Sequence, residues 1–301
     1  MRNIIEASKF VANRAQNVKI KRVKIKEFER LIDQYSSKPS PKWKGGLYPK
    51  EAEFFILWNA LNFKFWEKKG NYIHKNVNEF NGNKYYGSLG LAACLRRAIS
   101  EGVPLYDATY LKKINLNEAE RIFSGSIRMP MLEERIKILH EVGEQGGSLN
   151  TFIERTEPEL SALVQELIKT YPSFNDASKY GSKEIPFYKR AQLLFQMSHT
   201  RGDLKIKNIE ETTVAADYRL PQALRELGII KYSKSLANKV DRYKLIPAGS
   251  IEEVEIRAST IYACELIRQQ FELPISRIDN ILWRFGRDCT KPHHLTETTA
   301  Y

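Results

Sequence analysis

The chain has 301 residues and a mass of 34.9 kDa, with 48 Lys and Arg against 36 Asp and Glu, which leaves a net charge of +12. Hydrophobic residues make up 42 % and aromatics 11 %, enough apolar surface to bury a core, which excludes a disordered chain or an acidic tail protein. The length alone suits one large domain or two.

The basic excess lies at the front. Residues 1–50 hold 13 Lys and Arg against only Glu6, Glu27, Glu29 and Asp33, so they carry +9 of the +12. The run Lys19-Ile20-Lys21-Arg22-Val23-Lys24-Ile25-Lys26 alternates charged and apolar positions, which reads as a solvated edge or as a phosphate-attracting face. Residues 51–66, EAEFFILWNALNFKFW, are too long for an average strand and too short to span a membrane, and predict a buried helix. Across 71–86, Asn81-Gly82 between aromatic and β-branched residues predicts one small hairpin. Ser88 then caps the helix LGLAACLRRAIS, which stops at Gly102-Val103-Pro104. Pro130 suits a first helical turn, the apolar residues at 131, 132, 136, 138, 139 and 142 share a helical face, and Gly146-Gly147 supplies the stop. Further helices are expected over 116–124, 158–170, 186–199, 219–227, 252–272 and 275–286. With no Gly/Ser linker, low-complexity tract or fixed-period repeat, the expectation is a mainly α protein, one helical domain over 1–301 with a small β excursion.

Cys94, Cys264 and Cys289 are far apart and odd in number, which argues against a disulfide framework and for a reducing compartment. The first residues lack the apolar core of a signal peptide and no run of about 18 apolar residues occurs, so a soluble cytoplasmic protein without membrane contact is expected. Phosphate-cradling glycine loops and nucleophile elbows are missing. None of His74, His140, His199, His293 and His294 has metal-site spacing, and His293-His294 reads as a solvated pair.

Three polar clusters sit inside apolar periodic segments. Lys189 shares a helical face with Leu193 and Met197 and is expected to snorkel outward, or else to sit in a pocket. Asp217 precedes a short helix with Pro221 in its first turn, the place of an N-capping carboxylate, which can also do chemistry if it faces a cavity. In EEVEIRASTIYACELIR, Glu255 or Arg257 is expected to form an internal ion pair.

Taken in order, the blocks LNFKFW (61–66), YYGSLGLAACLRRAISEGVPL (85–105), MPMLEERIKILHEVG (129–143), FYKRAQLL (187–194), ADYRLPQALRELGIIKYS (216–233) and EVEIRASTIYACELIR (253–268) closely resemble the queuosine salvage family, from about Phe10 to Tyr301. The resemblance implies a single, mostly helical fold like that of helix-rich DNA glycosylases. It also implies hydrolysis of the glycosidic bond of queuosine 5′-monophosphate, releasing queuine for tRNA modification, with no metal or organic cofactor. The aspartate of the family's D-Y-R-L-P-Q block carries over to Asp217, as nucleophile or as stabiliser of an oxocarbenium-like state.

A 7-deazaguanine lacks the N7 that purine hydrolases protonate, so other atoms of the base must be engaged. The 5′-phosphate needs cations, for which Lys189, Lys231 and Arg257 are the candidates. The base and sugar are expected to meet Ala215 and Ala216 beside the aspartate, and Arg284, Phe285 and Asp288 near the C-terminus. The chain departs from the family in places. Many members have Phe where Ala215 stands, and the family's W-D-Y-A-H-D reads Trp283-Arg284-Phe285-Gly286-Arg287-Asp288 here. An N-terminal histidine common in the family has no counterpart before His74. A different 7-deazaguanine nucleotide as substrate is one alternative. A non-catalytic nucleic-acid-binding protein using the basic first 50 residues is another, less favoured because a solvated edge explains that charge equally well. A DNA-repair glycosylase lacks its helix-hairpin-helix glycines.

Overall fold

The computed structural model describes residues 1–36, 52–69, 72–146, 156–202 and 204–301. The described helices are α1 (Arg2–Arg14), α2 (Glu29–Ser36), α3 (Ala52–Ala60), α4 (Ser88–Ser100), α5 (Ala108–Leu111), α6 (Leu116–Ile122), α7 (Leu132–Glu144), α8 (Leu160–Thr170), α9 (Lys189–Arg201), α10 (Arg219–Glu226), α11 (Lys234–Asp241), α12 (Ile251–Phe271) and α13 (Ile275–Asp288). The strands are β1 (Val18–Ile20), β2 (Trp66–Lys69), β3 (Tyr72–Lys75), β4 (Val77–Phe80), β5 (Asn83–Tyr86), β6 (Ala177–Tyr180), β7 (Lys183–Pro186) and β8 (Ile230–Tyr232). The mainly α expectation holds, and α12 is its axis. Every residue from Glu253 to Glu265 is buried, the pattern of a helix covered on all sides. It packs against α1, α10, α13 and β1.

The β content is larger than one hairpin. β4 and β5 meet at Asn81-Gly82, whose positive φ of 48° and 71° gives the turn expected there. β2 pairs with β3, β6 with β7, and β1 with the distant β8, all antiparallel. The β6–β7 hairpin turns at Gly181 between polar residues, Ser178 and Lys179 on one side and Lys183 and Glu184 on the other, so no apolar alternation marked it.

Local boundaries shift for identifiable reasons. The helix expected over 51–66 stops at Ala60, because buried arginines take the carbonyls that follow, and Trp66 already belongs to β2. Ser88 is the first residue of α4 and caps nothing; Gly87 holds the cap position with φ +64°. Pro130 precedes α7, which starts after Met131 in the left-handed region. Gly146 follows that helix with φ +85°, and Gly147 lies outside the described residues. A continuous cluster of buried apolar side chains joins Met1, Phe54, Leu139, Phe195 and Leu282. No helix among the described residues is long and apolar enough to cross a membrane.

Candidate active site

Asn62, Phe65 and Trp66 reach the site on a loop that two buried guanidinium groups hold from behind. Arg135 donates to the carbonyls of Leu61, Phe63 (2.5 Å), Lys64 (3.1 Å) and Pro130 (3.0 Å), while Arg190 donates to those of Ala60 and Ser173. Arginine suits this task because its planar fork carries five donors and no acceptor. The C-terminal segment closes the same loop, since the Lys64 amide donates to the carbonyl of Tyr301 at 3.1 Å.

A second buried network sets Lys189. The Asp176 carbonyl accepts from the amides of Phe187 (2.9 Å) and Tyr188 (3.0 Å), which fixes Tyr188 at φ +48° immediately before α9. The Asp176 carboxylate accepts from the Lys189 amide at 3.1 Å and pairs with Arg257 at 2.7 and 2.6 Å. Arg257 is thus in the internal ion pair expected of its segment, with Glu253 a further 3.6 Å partner. Its Nε also donates to the Ala216 carbonyl at 3.1 Å, so one guanidinium ties the start of α9 to the loop that carries Asp217.

That loop, 212–218, brings a carboxylate to the base of α10. Asp217 Oδ1 accepts from the amides of Arg219 (2.6 Å) and Leu220 (3.3 Å), a capping action exerted from one residue outside the cap position. Two residues earlier, the Ala215 amide donates to Asp279 Oδ2 of α13 at 2.5 Å. Asp217 on this loop and Asp279 on α13 therefore face one cavity, which Lys189 at the start of α9 also lines. Burial raises the Asp217 pKa, opposed by the Lys189 ammonium. Burial also pushes Asp279 up to about 7, with the Ala215 amide opposing and the Asp217 charge adding to the rise. Lys189 is pulled down by burial and held up chiefly by Asp217.

The cavity has a volume of about 280 Å³, at the lower end of small-molecule sites, which run from roughly 300 Å³ upward. Trp58, Phe65, Trp66, Tyr218 and Trp283 supply aromatic walls, and Leu193 and Met197 of α9 complete an apolar side. Tyr218 lies against His293, with ring centroids 4.6 Å apart and planes at 33°. His293 and His294 are buried, in contrast to the solvated pair expected of them. The C-terminal segment turns inward, and His294 meets Tyr301 Oη at 3.1 Å. Burial drives the His294 pKa down to about 3, so this imidazole is neutral. Among the described residues, no group of three or more His, Cys, Asp or Glu is placed to hold a metal ion.

The structure thus brings Lys189, Ala215 and Asp217 together on the cavity wall. Lys189 does not snorkel; it is 6 % exposed and its Nζ donates to the Asn62 carbonyl at 3.3 Å. Ala216 is buried behind the wall, where its carbonyl serves Arg257. Arg284, Phe285 and Asp288 lie off the wall. Successive residues of a helix are about 100° apart, so the Asp279–Trp283–Arg287 stripe that faces the cavity turns these three toward α2. There the Tyr35 carbonyl accepts from Arg284 at 3.4 Å, the Phe285 and Tyr35 rings meet edge to face, and Asp288 accepts from Tyr35 Oη at 2.7 Å. Lys231 is exposed on β8 opposite Lys19, and neither it nor the buried Arg257 lines the cavity. Sequence reasoning missed Asp279 and, within the block 283–288, chose Arg284, Phe285 and Asp288 where Trp283 and Arg287 line the cavity; the i, i+4, i+8 spacing of 279, 283 and 287 was the available signal.

An aromatic-walled cavity with two half-buried carboxylates and a buried lysine is the build of an enzyme site for a small, flat substrate. The chain matches the queuosine salvage protein family over residues 44–301 and belongs to it. It is 36 % identical over 267 residues to the queuosine 5′-phosphate N-glycosylase/hydrolase of Sphaerobacter thermophilus, covering 83 % of this chain and 81 % of that protein. Proteins of the same name from Bos taurus and Mus musculus are each 30 % identical, over 98 % of both chains.

Proposed function

We propose that the protein hydrolyses the N-glycosidic bond of queuosine 5′-monophosphate, releasing queuine for salvage into tRNA modification, and that the whole chain acts as one domain in doing so. The observation that carries the reading is the Asp217–Asp279 pair. The two carboxylates share one cavity and are both raised by burial, but Asp217 has the Lys189 ammonium as its chief opposing charge and accepts two backbone amides, whereas Asp279 accepts one and is pushed up to about 7. Such a split assigns acid and base roles. Asp217, ionised, stabilises the positive charge that develops on the sugar as the bond to C1′ breaks. Asp279, about half protonated near pH 7, donates its proton to the departing base, which takes the electron pair of the broken bond. Water then adds to C1′ and returns a proton to the pair, restoring the starting state. The aromatic walls hold the flat base, and Lys189 keeps Asp217 anionic.

The site is one for a small molecule; Lys19 and Lys231, at the centre of the basic β1–β8 ribbon, form no part of its wall. Cys94, Cys264 and Cys289 are all unpaired thiols, which suits a cytoplasmic enzyme. The test is release of free base from queuosine 5′-monophosphate, followed by chromatography and mass detection. Release by the wild type and none by Asp217→Asn is the expected result. A folded wild type that releases nothing rejects the reading.

A further inference from the structure

α13 measures out the cavity from its floor to its mouth. Asp279, Trp283 and Arg287 stand at i, i+4 and i+8 on one face and all line the cavity. At the helical rise of about 1.5 Å per residue, Asp279 and Arg287 are about 12 Å apart along the axis. Exposure changes along the stripe, from largely covered Asp279 to exposed Arg287. At the outer end the Arg287 guanidinium sits 4.9 Å from the Tyr86 ring centroid and 5.2 Å from that of Trp283, and it donates to Tyr86 Oη. Tyr86 is itself 44 % exposed, so these two side chains frame the opening.

The other cations on the wall are engaged elsewhere. Lys189 is buried against the Asn62 carbonyl and the two carboxylates. Arg219 donates to Gln222 Oε1 at 2.9 Å and to the Gly286 carbonyl at 3.3 Å. A phosphate carries close to two negative charges at neutral pH and is repelled by the ionised Asp217, so it belongs at the far end from the carboxylates. The Arg287 guanidinium lies beside the Tyr86 and Trp283 rings, and the bond to Tyr86 uses one of its five donors, which leaves a planar fork suited to bidentate phosphate binding.

We propose that Arg287 receives the 5′-phosphate at the cavity mouth and sets the preference for a nucleotide over its nucleoside; the inference rests on the proposed glycosidase reading. A nucleoside 5′-monophosphate whose glycosidic bond lies at the carboxylates extends its phosphate along α13 toward this group.

The experiment compares kcat/KM for queuosine 5′-monophosphate and for queuosine in the wild type, Arg287→Ala and Arg287→Lys. Calorimetric binding of ribose 5-phosphate against ribose accompanies it. In Arg287→Ala the nucleotide value falls about 10- to 100-fold, as for loss of a charge-assisted pair, while the nucleoside value stays within about twofold. Arg287→Lys, a point charge without the fork, lies between. Ribose 5-phosphate binds the wild type, binds weakly or not at all to Arg287→Ala, and ribose discriminates between neither. A wild-type preference that survives in Arg287→Ala overturns the inference, as does an equal loss on both substrates, which marks a merely structural role. A wild type that binds ribose 5-phosphate through Arg287 yet releases no base rejects the glycosidase reading alone.

Discussion

Two layers of buried charge lie back to back across the loop 212–218, and they obey different rules. Behind the loop, Arg257 is matched by Asp176 and Glu253, and Arg135 and Arg190 donate to backbone carbonyls. In front of it, Asp217, Asp279 and Lys189 face a cavity, and burial shifts each toward its neutral form. In the rear layer Asp176 holds Arg257 firmly charged, and burial pulls Arg135 and Arg190 down only to about 9 and 10, so these guanidinium groups stay cationic at neutral pH and fix geometry. The front layer leaves part of the cost of desolvation unmet, which keeps protons movable near neutral pH. A charge that holds shape and a charge that does chemistry are distinguished here by what stands opposite it.

The sharpest way to break that contrast is Asp217→Asn. It keeps the side-chain oxygen that caps α10 and removes the charge, so base release is expected to drop by about 10³-fold or more while circular dichroism is unchanged. A comparable loss of helix would instead place Asp217 among the shape-holding charges. Arg257→Met strikes the other layer. It strands Asp176 and Glu253 without their partner, and denaturant unfolding is expected to show a loss of about 3–5 kcal/mol. Gly286→Ala tests how tightly α13 is set against α10, because a Cβ there would lie 2.9 Å from the Arg219 carbonyl. Forcing the helices apart is expected to cost about 1–3 kcal/mol, read as a lower thermal midpoint.

Asp279→Asn separates stability from activity. A carboxyl whose folded pKa is about 7 holds its proton more tightly folded than unfolded. From the ordinary carboxylate pKa up to about 7 the unfolded chain therefore binds fewer protons, and stability declines as pH rises through that window. The asparagine variant escapes this decline, so it is expected to unfold at a higher temperature than the wild type above pH 7. Activity moves the opposite way. The wild-type rate falls as pH rises past the pKa of the proton donor, and the variant, slower throughout, lacks that alkaline fall.

Much of the frame was legible in the sequence because its signals are local. The apolar periods of residues 131–142 and 252–272 gave α7 and α12, and Asn81-Gly82 gave the β4–β5 turn. The block ADYRLPQ drew attention to Asp217. The rest depends on tertiary placement. Asp279 sits in ISRIDNILW as an ordinary polar position of an amphipathic helix, and only the amide of Ala215, 64 residues earlier, makes it part of a carboxylate pair. The single helical step of about 100° from Trp283 to Arg284 separates a cavity wall from a contact with Tyr35, a distinction that no motif alignment records. Lys189 looked free to snorkel because nothing local says that Asp176 and Tyr188 turn its helix inward.

The pairing of β1 with β8 has a consequence for how the chain comes to be folded. Val18 pairs with Tyr232, and the amides of Gln16 and Asn17 donate to Glu255, 239 and 238 residues further on. At roughly 5–20 residues per second on the ribosome, this earlier-made segment waits on the order of 10–50 s for the strand and helix that complete it. Until then α1 exposes Ile4, Ala7 and Val11, which are buried in the finished protein. Closing so long a loop late makes folding slow relative to its helical content, and the early basic stretch from Lys19 to Lys26 keeps that waiting segment soluble.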